Sequence, residues 1–285
     1  MFRNRSVWIL CSLFLSANLA AAPMPQRIAS GTVGTDEILL SLLKGEEERI
    51  VAVSTFADNP KYSFITTLPK SVKARVGDNI ESLLVLKPDL VIVASYTSPE
   101  VLEQLKAAKV NVHVLKSFGG VKDIKGNILE LGRLVGKEKA AEAMVGGMEK
   151  TMSDALGKQP KCKKRPTVLQ YASSDILPGK GTIIDDVVDV AGYHNVLRDI
   201  DFKGWSPISG EVLVQQKPDF IIASAADALD RKALLEKLRH SAGWQKLSAV
   251  QKDRIILVPD RLLYTVSYHV AELVAFLAGE MKCGA

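Results

Sequence analysis

The reactive side chains of this sequence are better placed to hold a molecule than to transform one. Gly179-Lys180-Gly181-Thr182 has the ingredients of a phosphate loop. Such a loop needs G-x-x-x-x-G-K-[ST], so that backbone N–H groups cradle the phosphate and Lys follows the last Gly. Here Gly181 follows Lys180, and no Gly stands five residues before Gly179. No G-x-S-x-G elbow presents a nucleophilic Ser. The four His, at 113, 194, 240 and 269, lack metal-ligand spacing. His269 and Glu272 share one helical face, which is a single pair and not a site. No catalytic residue, metal site or cofactor is therefore expected, and the chain reads as a non-enzyme.

Residues suited to binding are more plentiful. Phe56 and Tyr96 follow predicted strands, Tyr171 ends one and Trp205 stands six residues before Glu211; all four offer flat apolar area to a large, carbon-rich ligand. Lys73, Arg75, Lys180 and Arg261 stand near the same loops and are suited to an anionic group, which Arg grips bidentately. Asp260 opens the loop after the last predicted strand.

Composition sets the frame for these residues. The chain has 285 residues, 47% of them hydrophobic and 24% charged, enough to build one large or two medium cores. The formal charge of +5 comes from 37 basic and 32 acidic residues without a run of five like charges, so a nucleic-acid partner is not expected. Arg3 and Arg5, an apolar run from Val7 to Leu19, and Ala20-Ala21-Ala22 form the three parts of a secretory signal peptide over residues 1–22. The apolar run is shorter than the roughly twenty residues needed to span a bilayer as a helix. Beyond it, Cys162 and Cys283 remain, and in an oxidising compartment they either pair or stay separate thiols.

The elements that must position these residues come in two sets. IESLLVLKPDLVIVAS at 80–95 recurs as GEVLVQQKPDFIIASA at 210–225, an offset of 130. Glu81 matches Glu211, and each copy reads as a short helix, a Pro-Asp turn and a buried strand. Arg27–Ser30 and Thr167–Tyr171 are strands, each followed by a Gly-containing loop and a helix. Val110–Leu115 and Arg254–Val258 are strands preceded by helices. Strands alternating with helices indicate two Rossmann-like α/β lobes with mostly parallel sheets. The lobes are placed at 23–135 and 161–285. Between them, over 136–160, apolar residues Ala141, Met144, Val145, Met148, Met152, Ala155 and Leu156 recur every three or four positions. They predict one long connecting helix over Lys137–Lys158, weakened by Gly146-Gly147.

Four segments in order, RIASGTVGTDEILLSL, LPKSVKARVGDNIESLLVLKPDLVIVAS, GKGTIIDDVVDVAGYHNVL and ISGEVLVQQKPDFIIAS, carry a resemblance to a known family. The chain resembles the helical-backbone class of periplasmic substrate-binding proteins of ABC importers, which carry cobalamin, haem and ferric siderophores. The resemblance implies a monomer in the periplasm that takes a small-molecule ligand, a corrinoid or iron chelate, between two lobes. It implies delivery to an ABC importer permease dimer, with Glu81 and Glu211 as the transporter-docking acids. Trp205, Asp260 and Phe56 fall where the cobalamin branch has pocket residues, whereas Arg75 replaces a Trp of that branch. Ala74 stands where the haem branch places an axial Tyr. Two alternatives stay open: a non-metal anionic ligand held by the Lys and Arg residues, and a stand-alone periplasmic scavenger without a transporter.

Overall fold

The computed structural model describes residues 24–77, 79–172, 174–225 and 231–283. The signal peptide expected over 1–22 lies outside the described residues. Among those described, no helix is long and apolar enough to cross a membrane.

The first half of the chain carries β1 (Ile28–Ser30), α1 (Val33–Leu42), β2 (Ile50–Ser54), β3 (Ala74–Val76), α2 (Ile80–Val85), β4 (Leu90–Ala94), α3 (Pro99–Ala107), β5 (Val112–Leu115), α4 (Val121–Val135) and α5 (Glu138–Leu156). The second half carries β6 (Thr167–Gln170), β7 (Ile176–Pro178), α6 (Ile183–Val190), β8 (His194–Asn195), β9 (Trp205–Pro207), α7 (Gly210–Gln215), β10 (Phe220–Ser224), α8 (Arg231–His240), α9 (Ser248–Gln251), β11 (Ile255–Val258), α10 (Asp260–Leu263) and α11 (Val270–Gly279).

Two separate parallel sheets result, in the orders β3-β2-β1-β4-β5 and β11-β10-β6-β8, with β7 and β9 as a small antiparallel pair. The duplicated segments occupy equivalent places. Ile28 of β1 aligns with Leu90 of β4, and Val168 of β6 with Phe220 of β10. The turn aspartates explain why the motif recurs. Asp89 accepts the backbone N–H groups of Gln26 and Arg27 at 2.7 and 3.0 Å, and Asp219 accepts that of Thr167 at 2.9 Å. Each carboxylate pins the start of the neighbouring strand, which sets the register of the pair.

Strand alternation gives each sheet two buried faces. Ala29, Val91 and Val93 pack into an outer core of the first lobe, and Leu169, Ile221 and Ile255 into one of the second. The opposite faces, with Ile28, Ile50 and Ile92 from one lobe and Val168, Ile222 and Ile256 from the other, belong to a single inner core completed by α4, α5, α6 and α11. The connecting helix is thus no free-standing rod. It buries Ala141, Met148 and Met152 against α4 and α11. Helix α4, absent from the sequence reading, starts the inter-lobe layer: its N-terminal Val121 N–H is accepted by Asp186 of α6 at 2.7 Å. Gly120 permits that approach, since a Cβ there would lie 2.6 Å from the Asp186 carboxylate. Cys162 and Cys283 form a disulfide that closes 121 residues of the second lobe.

Candidate ligand-binding cleft

In open α/β sheets the loops at the carboxyl ends of the strands, where strand order reverses, make the binding crevice. Both sheets reverse there, beside β1 and beside β6, and the loops after β1, β2, β4 and β5 meet the second lobe's segments before α6, at the start of β9 and after α10. Between them lie two adjoining cavities of about 340 and 330 Å³. The first is walled by Gly31–Gly34, Ser54, Thr55, Phe56, Tyr62 and Val76, the second by Phe118, Gly119, Gly181–Ile184, Gly204 and Trp205. Tyr96 from one lobe and Tyr264 and Val266 from the other line both.

Aromatic rings dominate the opening. Phe56, Tyr96 and Trp205 remain 53%, 57% and 49% exposed, and Tyr264 41%, an unusual concentration of large apolar surface facing solvent. Two of them sit edge-on against another ring: Phe56 against Tyr62 at 5.5 Å between centroids, and Tyr96 against Phe118 at 5.0 Å. Two helices begin at the cavity walls. Thr32 caps α1 by accepting the Thr35 N–H, and Thr182 caps α6 by accepting that of Asp185. Both threonines line a cavity, so each lobe aims the positive end of a helix at the cleft.

Behind the first cavity two acids are buried in sequence. Asp36 accepts the Ser54 N–H at 3.1 and 3.2 Å and is also bonded to the Ser54 hydroxyl. Burial pushes its carboxyl up to about 8, against the lowering effect of bonds to Ser30 and Ser54. Burial also raises Glu37, while the Phe64 N–H and the Ser267 and Ser63 hydroxyls oppose the shift. Glu37 Oε1 accepts Phe64 N–H at 2.8 Å, and Oε2 accepts the Ser267 hydroxyl at 2.5 Å. This carboxyl therefore ties α1 to the loop after β2 and to the second lobe. Beside it, the Phe64 ring stacks on His269 at 3.8 Å. Gly34 packs so tightly on Val266 that a Cβ would lie 2.7 Å from its side chain.

The sequence-selected residues separate into groups. Phe56, Tyr96 and Trp205 line the cavities. Tyr171 does not: strand alternation places it with Leu169 in the outer core of the second lobe, 2% exposed and edge-on to Trp244 at 4.9 Å. Asp260 is buried at the start of α10, bonded to the Ser224 hydroxyl and 3.6 Å from Lys61 Nζ. The four selected cations stand off the cavity walls. Arg75 pairs with Asp58 at 2.8 Å and donates to the Ser54 carbonyl at 3.2 Å. Arg261 lies over the Phe64 ring at 4.8 Å. Lys73 and Lys180 are exposed. Sequence reading missed Tyr62, Phe118 and Tyr264. Tyr264 lay within reach, four residues past Asp260 in the loop after the last strand; Tyr62 is hidden in the long irregular crossover from β2 to β3.

Glu81 and Glu211 adopt the same setting twice. Each is the second residue of a short helix, α2 or α7, capped by Asn79 or Ser209 through the N–H three residues on. Both are exposed, and among the described residues neither carboxylate has a hydrogen bond or ion pair.

Comparisons with known proteins bear on what this arrangement is for. A family model described as periplasmic binding protein matches residues 28–262. The chain is 24% identical over 216 residues to a cobalamin-binding protein of Halobacterium salinarum, covering 73% of this chain but only 57% of that relative's length. It is 23% identical over 218 residues to a vitamin B12-binding protein of Yersinia pestis, covering 76% and 75%. Among solved structures, a periplasmic haem-binding protein of Pseudomonas aeruginosa superposes with a TM-score of 0.72 at 24% identity, covering 90% and 92% of the two chains. An ABC transporter substrate-binding protein of Listeria monocytogenes superposes at 0.71 with 21% identity, covering 91% and 99%. At these identities the two structures speak for the fold alone.

Proposed function

The chain belongs to the periplasmic binding protein family, and from that premise we propose that it captures a ligand of the corrinoid, haem or iron-chelate class between its lobes and delivers it to an ABC importer. The observation that carries this reading is the cleft itself, whose walls combine exposed aromatic rings from both lobes. Rings of that kind match the broad apolar faces of a macrocyclic metal complex. The protein works in the periplasm after removal of its leader, as a monomer that performs no chemistry on its cargo.

Delivery rests on Glu81 and Glu211. A permease built on a two-fold axis meets a two-lobed protein best when the same charge is presented twice. Exposed acids at equivalent helix starts meet that requirement, and charge pairs across such an interface set register and association rate. The duplicated acids also favour delivery over the scavenger alternative. The anionic-ligand alternative is weakened because Lys73, Arg75, Lys180 and Arg261 stand away from the cavities.

The test is uptake of labelled cyanocobalamin by host cells whose only copy carries Glu81→Lys and Glu211→Lys. Uptake falls to background while the purified variant binds as the parent does. Unchanged uptake would reject the docking role, and loss of binding in the purified variant would mean the acids serve the ligand site instead.

A further inference from the structure

One end of the second lobe carries charge that neither the cleft nor the docking acids use. Lys158, Lys161, Lys163, Lys164 and Arg165 follow α5, and no acid stands between Ala155 and Ala172. Two contacts bring further cations beside this run. Cys162, within it, is bonded to Cys283, which lines a cavity of about 280 Å³ together with Arg254 and Lys282. The Thr167 hydroxyl donates to the Lys217 carbonyl at 3.4 Å. All these residues lie at the amino ends of β6, β10 and β11, opposite the cleft at the carboxyl ends. Few acids answer them. Asp189 is engaged by Arg165 at 2.7 Å and Arg198 at 2.8 Å. On the cavity wall Asp253 pairs with Arg231 at 2.8 Å, which leaves Glu280. Lys161, Lys163, Lys164, Lys217 and Lys282 are exposed, and among the described residues their ammonium groups have no hydrogen bond or ion pair. The whole chain has a formal excess of only +5, so its positive charge is concentrated here.

We infer that this basic end adsorbs to an anionic lipid surface, with the cleft directed away from the bilayer. The inference rests on the periplasmic location proposed above, which supplies such surfaces. The chemistry of the patch favours lipid over an acidic protein. Protein interfaces are centred on aromatic or apolar anchors and are poor in Lys. None of the large apolar side chains that stand exposed belongs to these segments. A cluster of flexible, hydrated ammonium groups instead suits a diffuse sheet of phosphate charge. The fold sets the orientation. Glu211 opens α7 six residues past Trp205 of the cleft wall, whereas Lys217 lies in the turn beyond that helix. Adsorption by the basic end therefore leaves the cleft and Glu211 open to solvent.

Co-sedimentation of residues 23–285 with vesicles tests this. The protein binds vesicles of phosphatidylcholine containing about one-third phosphatidylglycerol and ignores pure phosphatidylcholine. Binding falls at least about ten-fold between roughly 0.1 and 0.5 M salt. Lys161→Gln, Lys163→Gln and Lys164→Gln together weaken it by about 100-fold, about five-fold for each lysine, with melting temperature unchanged. Lys70→Gln, Lys106→Gln and Lys116→Gln remove the same charge from exposed positions of the first lobe and change it by less than about two-fold. Brominated acyl chains leave the emission of Trp205 and Trp244 unquenched, because both lie toward the cleft end. No binding to the mixed vesicles, or an equal loss in the first-lobe variant, would overturn the inference and leave the capture reading untouched. Quenching of Trp205 would overturn the orientation. Tighter binding of a polyglutamate peptide than of the mixed vesicles, lost in the Lys161, Lys163 and Lys164 variant, would overturn the lipid assignment in favour of an acidic protein.

Discussion

Buried polar groups are where single residues of this protein make their strongest claims. Asp36 is wholly enclosed, and its carboxyl is pushed up to about 8 chiefly by burial. The folded state therefore holds a proton that the unfolded chain releases near pH 4. Its contribution to stability is fully present below the unfolded value and is lost as pH rises through about 8. Urea denaturation at a series of pH values will show stability falling across that window, and Asp36→Asn will flatten the fall; an identical slope in the variant would refute the assignment. Gln170, at the end of β6, is 4% exposed with neither amide atom hydrogen-bonded. An unpartnered buried amide costs about 1–3 kcal/mol, so Gln170→Met will stabilise the fold by about 1 kcal/mol, read from the denaturation midpoint. Legibility at this scale was uneven. Phe56, Tyr96 and Trp205 were readable because each adjoins a clear strand or repeat. Tyr171 was misplaced because its side of the strand depends on a count from Leu169 that sequence patterns leave ambiguous when both faces are apolar. The cations were placed near the cleft by loop position alone, which says nothing of where long side chains find partners such as Asp58 and Phe64.

Among the elements, the two halves were legible as a repeat because Lys-Pro-Asp turns have a structural task, carried by Asp89 and Asp219 at the starts of β1 and β6. The small β7–β9 pair was not legible, since nothing local marks an antiparallel partner when α6 and β8 intervene between the two strands. Helix α5 was anticipated with ends within about two residues, but its partners α4 and α11 were not, so its role changes from a rod to one member of a shared layer. Gly146 and Gly147 sit on the exposed side of α5, and a Cβ added to either would meet nothing within 4 Å. Gly146→Ala and Gly147→Ala will each add about 1 kcal/mol of stability, measurable by thermal or urea unfolding. A loss of stability would contradict the open surroundings of these two positions. The disulfide from Cys162 to Cys283 ties the segment after α5 to the chain beyond α11. Cys162→Ser with Cys283→Ser will lower stability by about 2–5 kcal/mol, and an unchanged midpoint would show that α11 is held by packing alone.

For the molecule as a whole, the shared inner core constrains motion. Side chains from both sheets meet in one apolar layer, and Asp186 and Glu37 link the lobes on either flank of the cleft. Large lobe rotations would tear that layer open, so the proposed capture of a ligand calls for small adjustments only. Small-angle scattering will give the same radius of gyration with and without cyanocobalamin, and a marked compaction would contradict the shared core. The remaining claim is that one ligand touches both lobes at once. Equilibrium titration of cyanocobalamin against Phe56→Ala in the first lobe and Trp205→Ala in the second tests it most directly. Each variant keeps its melting temperature and loses about ten-fold in affinity, about 1.4 kcal/mol; full affinity in either one would contradict a ligand held between the lobes.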